Sequence, residues 1–235
     1  MSSVPQLSEV RYRPQLSDEA ASYVRALIMS GELRPGDSVR VESIAEALNI
    51  STTPAREALK ALRVEGFLDL VPRRGFQVAQ LTGDDIKDLF TVQALVAGEL
   101  VSRATQNASS ADVERLKSIH ADLEAVARTD DVERLEELNH QFHREVNRLA
   151  RAPKILWVLA LVTRYVPRMF YASIPGWPES TKNDHGAILD AIVARDPEAA
   201  REAMHAHLKY SGTLLAANFD RRARDSTSES DHQPE

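Results

Sequence analysis

A chain of 235 residues with 29 Lys/Arg against 35 Asp/Glu carries a net charge of -6, which excludes a broadly basic nucleic-acid-coating surface. It has no cysteine and no run of eighteen apolar residues, so disulfides, thiolate–zinc chemistry and a membrane-spanning helix are set aside. No basic-then-apolar pattern opens the chain, and the expected location is the cytoplasm. Residues 1–15, polar and interrupted by proline, read as a disordered lead. Ser17 then caps a helix with Ala20, Tyr23, Val24, Leu27 and Ile28 at helical spacing, ending at Gly31. A turn at Leu33-Arg34-Pro35-Gly36-Asp37 leads to a short strand at Val39–Val41. A short helix follows, with Ile44, Ala45 and Leu48 on one face; Asn49 turns the chain, and Ile50 plugs the angle before a second helix. Ser51, Thr52 and Thr53 offer N-cap oxygens, and Pro54 has the fixed φ of a first helical turn. From there Ala55, Ala58, Leu59 and Leu62 form an apolar stripe, while Arg56, Lys60 and Arg63 share another face. Gly66 stops this helix, and Leu68-Asp69-Leu70 and Phe76-Gln77-Val78 alternate as two short half-buried strands. Pro72-Arg73-Arg74-Gly75 between them is a hairpin with two cations at its tip.

Helix, turn, helix and basic hairpin in that order predict a winged helix-turn-helix over residues 16–80. Ser51, Thr52, Thr53, Arg56 and Lys60 are then the candidate groove contacts, and Arg73, Arg74 and Gly75 the wing contacts to phosphate. The alternative for Arg56 is an ion pair with an acid of its own domain. Charge agrees with the DNA reading once it is divided along the chain. Residues 1–80 hold ten Lys/Arg and ten Asp/Glu, and residues 51–80 hold five cations against three anions.

Thr82 with Asp85 three residues later has the spacing of a capping box, and everything beyond is helical in pattern. Helices are expected at about 83–107, 110–128, 131–150, 153–171, 179–195 and 197–218. Breaks fall at 107–110, 129–130, 152–153, 174–178 and 196–197. Residues 81–220 thus form an antiparallel all-α bundle of about six helices, and the charged stretch 221–235 reads as a disordered tail. The fold class is mainly α. Asn139 and His143, four apart, point from one helix face to one spot. With His185 and His207 from two later helices they can hold a divalent ion such as Zn²⁺, Ni²⁺ or Mn²⁺, leaving positions for water or a ligand. The competing reading makes them ordinary bundle histidines, as His120, His140, His205 and His232 are expected to be.

The pieces Pro35-Gly36, Ile44-Ala45-Glu46, Ile50-Ser51, Thr53-Pro54, Arg56-Glu57-Ala58-Leu59, Glu65-Gly66 and Arg74-Gly75 resemble the N-terminal domain of GntR-type bacterial regulators. Asn139-His140-Gln141-Phe142-His143, the run Asp184–Ile192 and Ala203–Leu208 resemble the FCD effector domain of that family's FadR branch. The resemblance implies a homodimeric, sequence-specific transcriptional regulator, a repressor, on a palindromic double-stranded operator. It also implies a metal site at Asn139, His143, His185 and His207 and a small carboxylate effector in the same pocket. The chain departs from the pattern at several points. Thr52 and Asn139 stand where Arg and Asp are usual, Gln93 and Ala97 replace an Arg and a Glu, and Ala152 replaces an Asn. Arg164 and Arg168, one turn apart, are the candidate replacement anchors for the effector carboxylate; the competing reading makes them a solvated or interface pair. Two alternatives stay open: a regulator whose effector is the ion itself, and a metal-dependent hydrolase. The hydrolase needs a general base, and the nearby acids Glu137 and Glu145 lie off the Asn139–His143 face.

Overall fold

The structure is a computed structural model and describes residues 16–164, 171 and 174–230. The chain divides into two compact units that meet between Gln80 and Leu81, with the short stretch Met29–Gly31 grouped with the second. In the first, α1 (Leu16–Ser30), β1 (Ser38–Val39), α2 (Val41–Ala47), α3 (Thr52–Val64), β2 (Leu68–Val71) and β3 (Gly75–Val78) follow in order. The three strands pair antiparallel in the order β1-β3-β2. The small core is made by the residues whose spacing predicted it, with Ala55, Ala58, Leu59 and Leu62 of α3 buried beside Val24, Ile44 and Phe67. Each fully buried leucine contributes about 1.5–3 kcal/mol relative to an exposed one.

Backbone details fix the motif. Asn49 adopts a left-handed φ of 51°, and the Asn49 and Ile50 amides donate back to Glu46 and Ala45 carbonyls at 3.1 and 2.9 Å. The same closure ends α3: Gly66 (φ 82°) and Phe67 donate to Arg63 and Leu62 at 3.2 and 2.9 Å. Both turns satisfy helix-end carbonyls, so α2 and α3 are held at a set angle. Arg25 of α1 grips Glu65 with two hydrogen bonds, 2.9 and 3.2 Å, tying the first helix to the end of the third. Three expectations fail in this unit. Ser17 lies inside α1 rather than capping it, and the strand expected at Val39–Val41 is Ser38–Val39, because Arg40 is the N-cap of α2 and Val41 its first residue. Leu70 is exposed rather than half-buried, because β2 lies at the sheet edge and only Leu68 of its apolar pair reaches the core.

The second unit holds α4 (Gly83–Asn107), α5 (Ser110–Val126), α6 (Val132–Leu149), α7 (Pro153–Thr163), α8 (Trp177–Val193) and α9 (Pro197–Ser230). Capping boxes at Thr82–Asp85 and Ser109–Asp112 set the starts of α4 and α5. The helix α4 packs along α9, and two glycines allow the close approach: a Cβ on Gly98 would lie 2.5 Å from the His205 ring, and one on Gly212 2.5 Å from Phe90. The core between α4, α5, α6, α8 and α9 is built from Leu100, Val101, Leu116, Phe142, Val146, Ile188 and Met204, among others.

Two lengths differ from expectation. Helix α7 stops at Thr163, with Arg164 as its C-cap, and the expected continuation through 165–170 lies outside the described residues. Helix α9 runs on to Ser230, so residues 221–230 are helical where a disordered tail was expected. Extending an established helix costs little per residue, so no apolar stripe is needed to continue it. The expected lead 1–15 and the last five residues lie outside the described residues.

Candidate functional site

The first candidate site is the outer face of α3. Its buried stripe faces the core, which leaves Ser51, Thr52, Thr53, Arg56, Lys60 and Arg63 exposed together. Ser51 is the N-cap by backbone conformation, yet its side chain makes no capping hydrogen bond. The hydroxyls and unpaired amides at this helix start therefore face outward, where the helix dipole favours an anion such as phosphate. Arg56 has no side-chain partner among the described residues, which removes the ion-pair alternative there; the acid-paired arginine of this unit is Arg25. Lys60 rests on Glu57 at 2.9 Å, an exposed contact that is readily exchanged. At the wing, Val71 pairs with Gly75 and the three-residue turn places Arg73 in the left-handed region, φ 67°, beside exposed Arg74.

The second candidate site lies in the helical unit. Helix α6 supplies Asn139 and His143, α8 supplies His185, and α9 supplies His207. The ligand atoms of the three histidines all lie within 4.8 Å of one another. The Nε2 of His143 sits 3.2 Å from that of His185 and 3.3 Å from that of His207. Protons satisfy this arrangement poorly, since one N–H on His143 can serve only one neighbour. A cation at the centre would take a lone pair from each ring. Tetrahedral ligation at ordinary Zn–N lengths puts ligand nitrogens about 3.3 Å apart, so the donor set fits a divalent ion. Asn139 Oδ1, one turn before His143, is buried without a hydrogen-bond partner among the described residues, as a fourth oxygen donor would be before an ion arrives.

Electrostatics keep two of these rings ready to ligate. Burial, then nearby His207 and His140, push His143 down to about 3. Burial first, then His143, His207 and His120, hold His185 well below the ordinary imidazole value. Neutral imidazole is the form that binds a metal. His185 and His207 are buried, whereas His143 keeps some exposure, which leaves an approach for a further ligand. The ring of His185 stacks on Phe142 at 4.3 Å, so the Phe next to His143 fixes the facing ring.

Two residues here escaped the sequence reading. Asp184 Oδ2 lies 3.2 Å from His207 Nδ1 and accepts from Ser180 Oγ at 2.9 Å. Burial raises the Asp184 carboxyl, but the bonds from His207 and Ser180 outweigh it and leave it below its ordinary value. The Ser180/Asp184 spacing of four was the available signal. The one proposed effector anchor that the structure describes is not brought to the triad. Arg164 is exposed at the end of α7, no contact joins it to the histidines among the described residues, and Arg168 lies outside them. Gln93, on α4, is buried and spends its amide on the Val162 carbonyl at 3.2 Å.

Comparison with known proteins agrees with both units. Residues 16–78 match the bacterial regulatory proteins of the gntR family, and residues 88–210 match the FCD domain. The HTH-type transcriptional regulator LutR of Bacillus subtilis is 26% identical, over 83% of this chain and 98% of its own length. The HTH-type transcriptional repressor GlaR of Escherichia coli is also 26% identical, over 77% and 87% of the two chains. Among solved structures, Escherichia coli McbR/YncC superposes with a TM-score of 0.66 at 21% identity, covering 88% of this chain and all of that one, which shows a shared fold. The chain belongs to the gntR family of bacterial regulatory proteins and carries an FCD domain behind its winged helix.

Proposed function

We propose that the protein is a homodimeric transcriptional repressor whose affinity for a palindromic operator is controlled by a small carboxylic acid at a metal-containing site in the FCD domain. The observation that supports this most is the convergence of three imidazoles from α6, α8 and α9 beside the unpartnered Asn139 oxygen. Such an ion, Zn²⁺, Ni²⁺ or Mn²⁺ by donor type, ties three helices together, and a carboxylate completes its coordination. With neutral ligands the ion keeps net positive charge, which favours an anionic guest. Its binding energy is then available to shift the bundle between two states. The hydrolase alternative has little support, because Glu137 and Glu145 are engaged by Arg134 and Arg148. The test is a thermal-shift screen of small carboxylic acids against metal-loaded and metal-stripped protein. Stabilisation that requires both acid and metal supports the reading, whereas stabilisation by the metal alone favours the ion as effector.

The DNA-binding half predicts its own pattern. Arg73→Ala with Arg74→Ala weakens binding to every sequence and lowers the slope of log affinity against log salt by about 0.9 per lost phosphate contact. Fluorescence anisotropy over a salt series reads this directly; an unchanged slope removes the wing from the phosphate backbone.

Dimerisation is supported by apolar surface on α4 and α7, which pack side by side. Leu95 is 60% exposed and Trp157 62%, with Val92, Leu156, Val158 and Leu161 also open. A patch of this kind, on helices already joined, fits burial against a second copy. Sedimentation at micromolar concentration should give a dimer, and Trp157→Asp should shift it toward monomer. A wild-type monomer contradicts the reading. No helix among the described residues is long and apolar enough to cross a membrane, and the proposed place of work is the cytoplasm.

A further inference from the structure

Resting on the metal-site reading, we propose that Asp184, held by Ser180, is the positioning residue of the metal centre, orienting His207 without ligating the ion. A carboxylate only accepts hydrogen bonds, so the 3.2 Å contact places the proton of His207 on Nδ1 and leaves its Nε2 lone pair facing His143. That is the tautomer ligation needs. The Asp184 oxygen lies on the opposite side of the imidazole from the His143 contact, so it reaches the ring and not the centre of the triad.

The arrangement differs between the two buried rings. His207 has its Nδ1 held, while His185 Nδ1 has no hydrogen-bond partner among the described residues. The His207 ring is therefore set by a hydrogen bond, and the His185 ring by its stacking on Phe142. Ser180 supplies the second constraint: its hydroxyl donates to the same Asp184 oxygen at 2.9 Å from one turn earlier on α8. The carboxylate is thereby fixed on α8 while it grips a ring of α9. Asp184 is also the only carboxylate bonded to the triad among the described residues. An anion on Nδ1 makes Nε2 a stronger donor, and loss of such an outer partner typically costs 10–100-fold in metal affinity.

The test is titration of the full-length apo protein with Co²⁺ alone, reading affinity and the visible ligand-field bands together. Asp184→Asn keeps the side-chain shape and removes the charge; about tenfold or more weaker binding with displaced bands is expected. Ser180→Ala, at a half-buried position, should weaken binding less and shift the bands the same way, and Ser180→Thr should restore both. Unchanged affinity and bands in Asp184→Asn and Ser180→Ala, with wild type binding normally, overturn the positioning role and leave the metal site standing. Failure of wild type itself to take up Co²⁺ overturns both readings.

Discussion

Replacing His185 by alanine should abolish stoichiometric metal uptake. This ring is wholly buried, lies 3.2 Å from His143 and stacks on Phe142, so no solvent-facing side chain can swing in to replace it. Three histidines on three helices reduce to two, and a two-imidazole set loses the closed face that fits a divalent ion. The readout has two arms. Elemental analysis of protein purified without a His tag should find one equivalent in wild type and none in the variant. Added metal should also raise the melting temperature of wild type only. At a free concentration about 100 times the dissociation constant, that linkage supplies about 2.7 kcal/mol of stabilisation. If His185→Ala retains both the metal and the stabilisation, the histidines are bundle residues and the effector pocket works without an ion.

Arg56→Ala should reduce affinity for a selected operator by about 5–150-fold, the range set by losing roughly 1–3 kcal/mol of base or phosphate contact. The expectation is sharper than the sequence allowed, because Arg56 is exposed with no side-chain partner among the described residues and folding does not depend on it. Its melting curve should match wild type. Arg25→Ala supplies the contrast, since it strips Glu65 of a two-bond ion pair and should lower stability rather than act at the groove. Undiminished operator affinity in Arg56→Ala removes this residue from the interface.

Much of this architecture was legible because short-range chemistry wrote it. The α4 bounds of 83–107 follow from a capping box at one end and an Asn-Ala-Ser-Ser break at the other, each a local signal. Asn49 and Gly66 announced the two left-handed turns that shape α2 and α3. The triad was legible for a different reason: Asn139 and His143 are four apart on one helix, and the runs around His143, His185 and His207 resemble the FCD pattern. Asp184 was missed because successive helix residues point about 100° apart, so a residue beside His185 is not expected to serve the same centre. It does so by reaching His207 on another helix, a juxtaposition that only tertiary packing creates. Leu70 misled in the opposite sense, since alternation alone does not say whether an edge strand's second apolar residue finds a core. Helix α9 outran its apolar pattern for the same kind of reason, as its length is set by propagation from the packed segment.

The proposed function requires the triad and the winged helix to be energetically coupled. It is tested most directly by measuring operator affinity on one preparation, with DNA selected from a random pool, before and after the metal is removed by a chelator and again after it is restored. The account predicts a reversible change of about 5–150-fold, matching a coupling of roughly 1–3 kcal/mol, and an organic-acid response that disappears in the stripped protein. Identical affinity and identical acid response with and without metal would contradict it.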